Sequence, residues 1–544
     1  MNSYDDLREA IRTHAFVTSV SGAQIIKNEA GTSSPWLFDF RALLLQPKWL
    51  DRYAEIFWEK YASRYPFQVC AMESAGISLV AAIVMKSVER GTPVNGFFIR
   101  KSRKRQGLMK QIEGIVTDEP VIMVDDLINS GSTFNKMLKI LDEEKRRVSD
   151  IFALLAFRDM SAYEFATTRN IHVDALFTLK DFGLPLLPAE SAAIPKESFE
   201  TLWHFQAKDP SFHFVVQKSA PVIDERHVYF GTDSGTFYAL NQSDGSIVWT
   251  FETKKHPEGK GIFSSPALCN DTVFFGAYDG NVYALEAKTG KVRWTYSKAD
   301  WIGSSPSVAP DLGLVFIGLE FGLFRKRGGI AALDLKTGKE MWSARTSEQT
   351  HGSPLYIKEE DLVVIGSNDG IAYAYDAKKG GALWRYTTEG DIKTTFAYDA
   401  KRRTVLFGSM DGKLYALSAH DGTPIFAFET GAGIYSIPLV VEDTVYVASL
   451  DKTIYAIDLE TGSRRASFDT NGRIFASPIL AEGSIWIGSN DGRLYELESK
   501  TLKLKSFFQT TERIVNRIAY NPKTKRFFIP TVANELYCLL PKPL

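Results

Sequence analysis

Two different rhythms of apolar and polar positions divide the chain. Up to about residue 198, short apolar runs (FQVCAM, VNGFFI, VIMVDD, DIFALLAF, HVDALFTL) alternate with stretches of helical period such as SLVAAIVMKSVERG and TFNKMLKILDEEKR. Apolar strands separated by helices predict an α/β domain with a largely parallel sheet over residues 1–198. Beyond it the helical period disappears. The unit VFFGAYDGNVYALEAKTGKVRW recurs as VYFGTDSGTFYALNQSDGSIVW, VVIGSNDGIAYAYDAKKGGALW and IWIGSNDGRLYELESKT. Aligning Gly231, Gly276, Gly318, Gly366, Gly408, Ala448, Gly488 and Pro530 gives a spacing of roughly 40 to 48 residues, the length of a four-stranded propeller blade. Eight such copies predict an all-β, eight-bladed propeller over residues 199–544.

Each copy supplies its own turns. Asp-Gly or a variant joins two β-rich runs, and Thr-Gly or Asp-Gly makes the next turn. A small residue followed by proline (SAP, SSP, GSP, SIP, ASP) precedes most copies, at a place where proline can start a strand without removing a ladder bond. The last copy stops before its outer strand, whereas LWHFQAK (202–208) stands ahead of the first blade. That segment is expected to close the eighth blade and leave no sheet edge open.

The chain of 544 residues has a formal net charge of −1, so no global field points to nucleic acid. Cys70, Cys269 and Cys538 are too far apart for a disulfide framework or a zinc cluster. The first residues, MNSYDDLREAIRTHAF, carry charges where a signal peptide needs an apolar core, and no run reaches about 18 apolar residues. These features predict a cytoplasmic protein without a membrane partner.

The stretch VIMVDDLINSGSTFNKML (121–138) places two acids after four apolar residues and before a small-residue loop that opens a helix. Such an arrangement can grip a sugar and a phosphate together. Asp125 and Asp126 would accept hydrogen bonds from vicinal ribose hydroxyls, while Asn129, Ser130, Gly131, Ser132 and Thr133 would cradle a phosphate near the helix dipole. The stretch resembles the phosphoribosyl pyrophosphate signature of the type I phosphoribosyltransferases, with Ser130-Gly131-Ser132-Thr133 as the phosphate loop. The resemblance covers most of residues 1–198 and is closest to orotate phosphoribosyltransferase.

From that resemblance follow further assignments. FFIRKSRKRQG is similar to the family's mobile loop, which makes Arg100, Lys101 and Lys104 catalytic candidates that fold over pyrophosphate. AMESAGISLVAAI sits where the family has its pyrophosphate loop, giving Glu73, Ser74, Ala75 and Gly76. FVTSVSG with SSPWLFDFRALLLQP resembles the hood, so Phe38 is expected at the base, and Arg158 falls where orotate's carboxylate would be held. The resemblance implies Mg²⁺ bound through phosphoribosyl pyrophosphate, a nucleobase-like acceptor and a homodimer. Two positions depart from the family: Val20 replaces a base-contacting lysine, and Gln106 replaces a histidine of the mobile loop. Losing that lysine removes a charged partner for an acidic pyrimidine, so the expected acceptor is orotate-like but altered. A non-catalytic sensor of phosphoribosyl pyrophosphate, signalling through the propeller, is the alternative.

The copies ALDLKTGKEMW and ALEAKTGKVRW resemble the tryptophan-docking repeat of pyrroloquinoline-quinone-type propellers, with Trp249, Trp294, Trp342 and Trp384 in the outer-strand position. Those residues are expected to join blade to blade. The quinone enzymes of that fold use a vicinal disulfide that this chain lacks, so no quinone is expected, and the propeller is read as a site for a protein or ligand. At the mouth of its central recess, Lys218, Phe263, His351, Lys393, Tyr435 and Phe475, with Gly303 and Val515, are candidates to meet an anionic or aromatic ligand. An insertion in the third blade adds Arg325, Lys326 and Arg327.

Overall fold

The computed structural model describes residues 4–18, 26–27, 33–34, 36–73, 75–100, 111–187, 199–207, 219–254, 261–322 and 327–542. Ser74, Lys101, Lys104, Gln106, Val20, Lys218, Arg325 and Lys326 lie outside these residues. The chain divides into two compact units, Met1–Lys196 and Glu197–Leu544.

In the first unit a six-stranded sheet runs in the order His172–Thr178, Val148–Ala156, Val121–Ile128, Gln68–Met72, Gly96–Ile99 and Ile112–Gly114. All pairings are parallel except the last. The central strands are buried on both faces, which is why they read as continuous apolar runs rather than as alternation. Val69, Ala71, Ile122, Val124 and Phe152 join the helices Pro47–Tyr61 and Ala75–Glu89 in one core. Cys70, Met72, Val121, Met123 and Ile151 meet the helix Ser132–Glu143 on the other side.

Strand order reverses between Gln68–Met72 and Val121–Ile128. From the first, the chain crosses through Ala75–Glu89 to Gly96–Ile99; from the second, it crosses through Ser132–Glu143 to Val148–Ala156 in the opposite direction. Loops leaving the carboxyl ends of these two strands therefore diverge and open a crevice, where ligands of open α/β sheets bind.

The second unit contains eight four-stranded antiparallel sheets among the described residues. The strand Phe199–Gln206 pairs with Glu535–Pro541, from Phe199 opposite Pro541 to Gln206 opposite Glu535, so the eighth sheet is built from both ends of the unit. The first and last blades thus present no open edge to one another.

A register shift recurs between the two outer strands of each blade and sets one residue opposite a mostly small partner. Trp249, Trp294, Trp342 and Trp384 stand there, opposite Ala239, Ala284, Ala332 and Ala374. Each indole lies over the turn glycine of the next blade and donates its Nε1–H to a carbonyl there. For Trp249 the glycine is Gly290 and the acceptor is Ala287 O at 2.9 Å. Trp203, in the closing strand, does the same with Gly245 and Gln242 O at 3.0 Å. Later blades change the device: Phe426 covers Gly462, while Ala466 and Ser506 hold the two remaining positions. Trp486, on a different strand, fills the interior there against Phe527 and Phe199, with centroids 4.4 and 5.6 Å away.

Candidate functional site

The acidic pair lies at the carboxyl end of Val121–Ile128, at the point where strand order reverses. The apolar run VIMV is fully buried, and burial relaxes at Asp125, Asp126 and Leu127 as the strand emerges. The Asp126 N–H donates to Asp125 Oδ1 at 3.0 Å. Burial raises the Asp126 carboxyl above the ordinary aspartate range, offset in part by hydrogen bonds in the turn and by the positive field of Arg41. Tyr53, fully buried beneath, is pushed well above a normal phenol by burial and then by the charge of Asp125.

Three tertiary contacts shape the loop after the pair. Gly131 caps the helix Ser132–Glu143 with φ of 76°, and a Cβ on it would stand 2.2 Å from Phe165 Cε1. Only glycine meets both demands. Tyr163 donates its hydroxyl to Ile128 O at 2.9 Å, and Arg158, 7% exposed, donates Nε to Asn129 O at 3.0 Å. Ser130 and Ser132 hydroxyls lie 3.2 Å apart, and the Ser132 N–H points at Ser130 Oγ. The loop thus opens a helix N-terminus beside two carboxylates, which suits a phosphate next to a diol.

Gly131→Ala is expected to cost about 2 kcal/mol, from the left-handed backbone and the overlap with Phe165 together. Thermal melting reads that loss, and binding of a ribose phosphate should fall with it. Unchanged binding would separate the loop from the ligand.

The neighbouring strand brings Glu73 and Gly76 to the same crevice. The Glu73 N–H donates to Ile99 O at 2.8 Å, and Arg100 Nη2 lies 3.6 Å from its Oε2. Arg100 also lies 3.7 Å from Glu113, so this member of the cationic run is tied to acids on both sides. Gly76 sits tight against Ala71, where a Cβ would come within 2.2 Å of Ala71 Cβ. Ala75 begins the helix.

Two residues assigned to the base have other surroundings. Phe38 is 5% exposed, stacked on Phe16 at 4.7 Å and enclosed by Trp36, Phe40, Phe157 and Phe182, so its ring belongs to the core. Arg158 holds Asn129 with Nε and with Nη2, the latter 3.3 Å from Oδ1. A buried guanidinium bound to Asn129 holds the loop that follows the acidic pair, and its fork is engaged there. Phe165 and Tyr163 carry no motif, because their partners lie more than thirty residues earlier in the chain.

At the propeller mouth two of the basic candidates have acidic neighbours. His351 Nε2 lies 3.2 Å from Glu320 Oε2, and Lys393 Nζ lies 2.9 Å from Asp391. Burial depresses Lys393, but Asp391 and Tyr435 more than reverse this, leaving it raised. Phe263 contacts Tyr278 and Tyr435 contacts Phe475, at 4.9 and 5.2 Å between centroids. Phe475 and Val515 are buried in a small apolar cluster with Val532 and Ala533. Arg327 stands opposite Phe321 in the third blade.

Residues 192–364 and 368–504 match the family model for the outer membrane protein assembly factor BamB. BamB from Moraxella catarrhalis shares the fold, with a TM-score of 0.52 at 18% identity, covering 63% of this chain and 97% of that one. The N-terminal unit is similar to orotate phosphoribosyltransferases. That of Bradyrhizobium sp. (strain ORS 278) is 25% identical over 181 residues, 32% of this chain and 95% of the enzyme. That of Leptospira biflexa is 29% identical over 157 residues, 28% of this chain and 84% of the enzyme.

Proposed function

Through its propeller the chain belongs to the family of the outer membrane protein assembly factor BamB, and with the phosphoribosyl-type crevice of its first unit as the other premise we propose that it is a phosphoribosyltransferase carrying a recognition domain. The observation that carries this reading is the acidic pair Asp125–Asp126 at the reversal of strand order, beside a helix N-terminus capped by Gly131. Similarity to orotate phosphoribosyltransferases supports it.

In this reading Asp125 and Asp126 hold the ribose hydroxyls of phosphoribosyl pyrophosphate, and the loop from Asn129 to Thr133 holds its 5′-phosphate. Glu73, Ser74, Ala75 and Gly76 border the pyrophosphate. A nitrogen of the acceptor base bonds to the anomeric carbon as the bond from that carbon to pyrophosphate breaks, and the electron pair leaves with pyrophosphate. Arg100, Lys101 and Lys104 stabilise the departing charge and help exclude water. Among the described residues no three side chains converge as metal ligands. Mg²⁺, implied by the likeness to phosphoribosyltransferases, would be held by the ligand's own oxygens and would spread the charge of the leaving group. Val20, in place of a lysine, favours an acceptor other than orotate. The same residue favours the second reading, a sensor that binds phosphoribosyl pyrophosphate without turnover. A cytoplasmic location, a homodimer and a propeller without quinone belong to the same proposal. The described residues include no helix long and apolar enough to cross a membrane.

Incubation with Mg²⁺, phosphoribosyl pyrophosphate and a panel of bases led by orotate and uracil tests it. Base-dependent pyrophosphate release is expected, and loss of that release in Asp125→Asn/Asp126→Asn. Binding without release would favour the sensor. Failure to bind phosphoribosyl pyrophosphate would remove both readings.

A further inference from the structure

The innermost strands of the propeller are in register around its axis. Ala267, Ser307, Leu355, Ala397, Leu439, Ile479 and Ala519 occupy equivalent positions, each opposite the same point of the next strand. The strand Val222–Ile223 touches both Ala267–Cys269 and Ala519–Asn521, which completes the ring between the first and last blades. Two residues before each of these positions, the chain forms another layer, containing Ser265, Ser305, Ser353, Ser477 and Arg517.

Apart from Ser477, which is 3% exposed, these residues occupy the more open positions of their strands' approach. In the last blade Asn516 and Ile518 are 3% and 4% exposed, whereas Arg517 between them is exposed. The same alternation sets fully buried Ser264 and Ser304 beside the more open Ser265 and Ser305. Arg517 has no hydrogen bond or ion pair among the described residues. The residue is exposed as a whole, yet the surrounding protein desolvates the charge and lowers its pKa.

The serines of this layer are used in only one direction. Ser265 Oγ accepts from Ala220 N at 2.9 Å, Ser305 Oγ from Ser265 N at 2.9 Å, Ser353 Oγ from Ser305 N at 2.8 Å and Ser477 Oγ from Ile437 N at 2.9 Å. A hydroxyl that accepts a backbone hydrogen bond keeps its own proton to donate. None of the four has an acceptor for that proton among the described residues. One level of the ring therefore collects the part-open hydroxyls of Ser265, Ser305 and Ser353, the buried hydroxyl of Ser477 and a guanidinium with no hydrogen bond or ion pair among the described residues. The acids at the mouth do not neutralise it: Glu320 accepts from Gly303 N at 2.8 Å and faces His351, and Asp391 faces Lys393.

We propose that this layer is an oxyanion site, in which Arg517 and the serine hydroxyls bind a phosphate group, free or on a small molecule, in the propeller channel. A planar guanidinium gives two parallel donors to such a group, and the hydroxyls can rotate toward its remaining oxygens. Desolvation of a charge that lacks a counter-ion is costly, and an anion relieves that cost.

Equilibrium dialysis of the full chain with labelled inorganic phosphate, and separately with ribose 5-phosphate, tests the site against Arg517→Ala. Any phosphate held by the N-terminal unit is common to both proteins, so the difference between them reports the channel whether or not the proposed transferase reading holds. Arg517→Ala is expected to weaken the channel component at least ten-fold. Arg517→Lys, which keeps the charge but loses the fork, should fall between, and Ser305→Ala/Ser353→Ala should weaken it several-fold when binding is read well below its lowered melting temperature. A difference for inorganic phosphate identifies the free ion as sufficient; one confined to ribose 5-phosphate identifies a phosphorylated small molecule. Equal binding of both probes by the parent chain, Arg517→Ala and Arg517→Lys overturns the proposal, as does absence of binding to the parent.

Discussion

Asp126→Asn is expected to stabilise the first unit while weakening the phosphoribosyl pyrophosphate binding proposed for it. Burial raises the carboxyl's pKa, so the folded state pays to keep Asp126 ionised at neutral pH. The folded state holds the proton more tightly than the unfolded chain. The penalty is absent below the ordinary aspartate pKa, develops as pH rises toward the raised folded value, and is fully present above it. Asparagine removes the charge and with it the penalty. The melting temperature of the variant should therefore exceed that of the parent at pH 7, and the gap should close at acid pH.

Binding should move the other way. A carboxylate accepting from ribose hydroxyls makes charge-assisted bonds, each worth about 1.5 to 3 kcal/mol, so affinity should fall about ten- to hundred-fold. For the parent, affinity should also decline as pH drops through the raised pKa, at a pH above the ordinary aspartate range. Calorimetric melts at pH 4 and pH 7, with titration of the ligand at both, read the two effects together. A variant less stable than its parent at pH 7 would show that Asp126 is held for the fold and not for a ligand.

Trp203→Ala is expected to weaken the propeller by about 3 kcal/mol. Its indole lies against Gly245 of the first blade, and its N–H donates to Gln242 O, so it ties the chain's closing strand to the next blade in the same way that Trp249 ties blades in mid-sequence. Trp203→Phe keeps most of the apolar contact and removes the hydrogen bond, a loss of about 1 kcal/mol. Denaturant unfolding of the propeller transition should rank the parent above Trp203→Phe and Trp203→Ala last. If both variants unfold at the parent midpoint, closure rests on the strand pairing from Phe199 to Gln206 alone.

Much of this architecture is legible in the sequence because its causes are local. A buried parallel strand reads as an unbroken apolar run, as in VIMV, and a turn that needs a left-handed residue displays glycine, as at Gly131 and Gly245. The repeated Thr-Gly and Asp-Gly turns gave away the blades, and the acids following VIMV gave away a strand end with chemistry. Tertiary structure alone decided what each of these groups meets. Motif position alone places Phe38 at a base and Arg158 at a carboxylate, whereas the fold stacks Phe38 on Phe16 and sets Arg158 on Asn129. Trp203 showed only an unpaired outer strand, since Gly245 belongs to another blade. Arg517 had no motif at all, because its step lacks the proline that marks most blades. Sequence specified these side chains through short-range backbone and hydrophobic demands; the partners come from residues tens to hundreds of positions away, and only folding brings them within hydrogen-bonding distance.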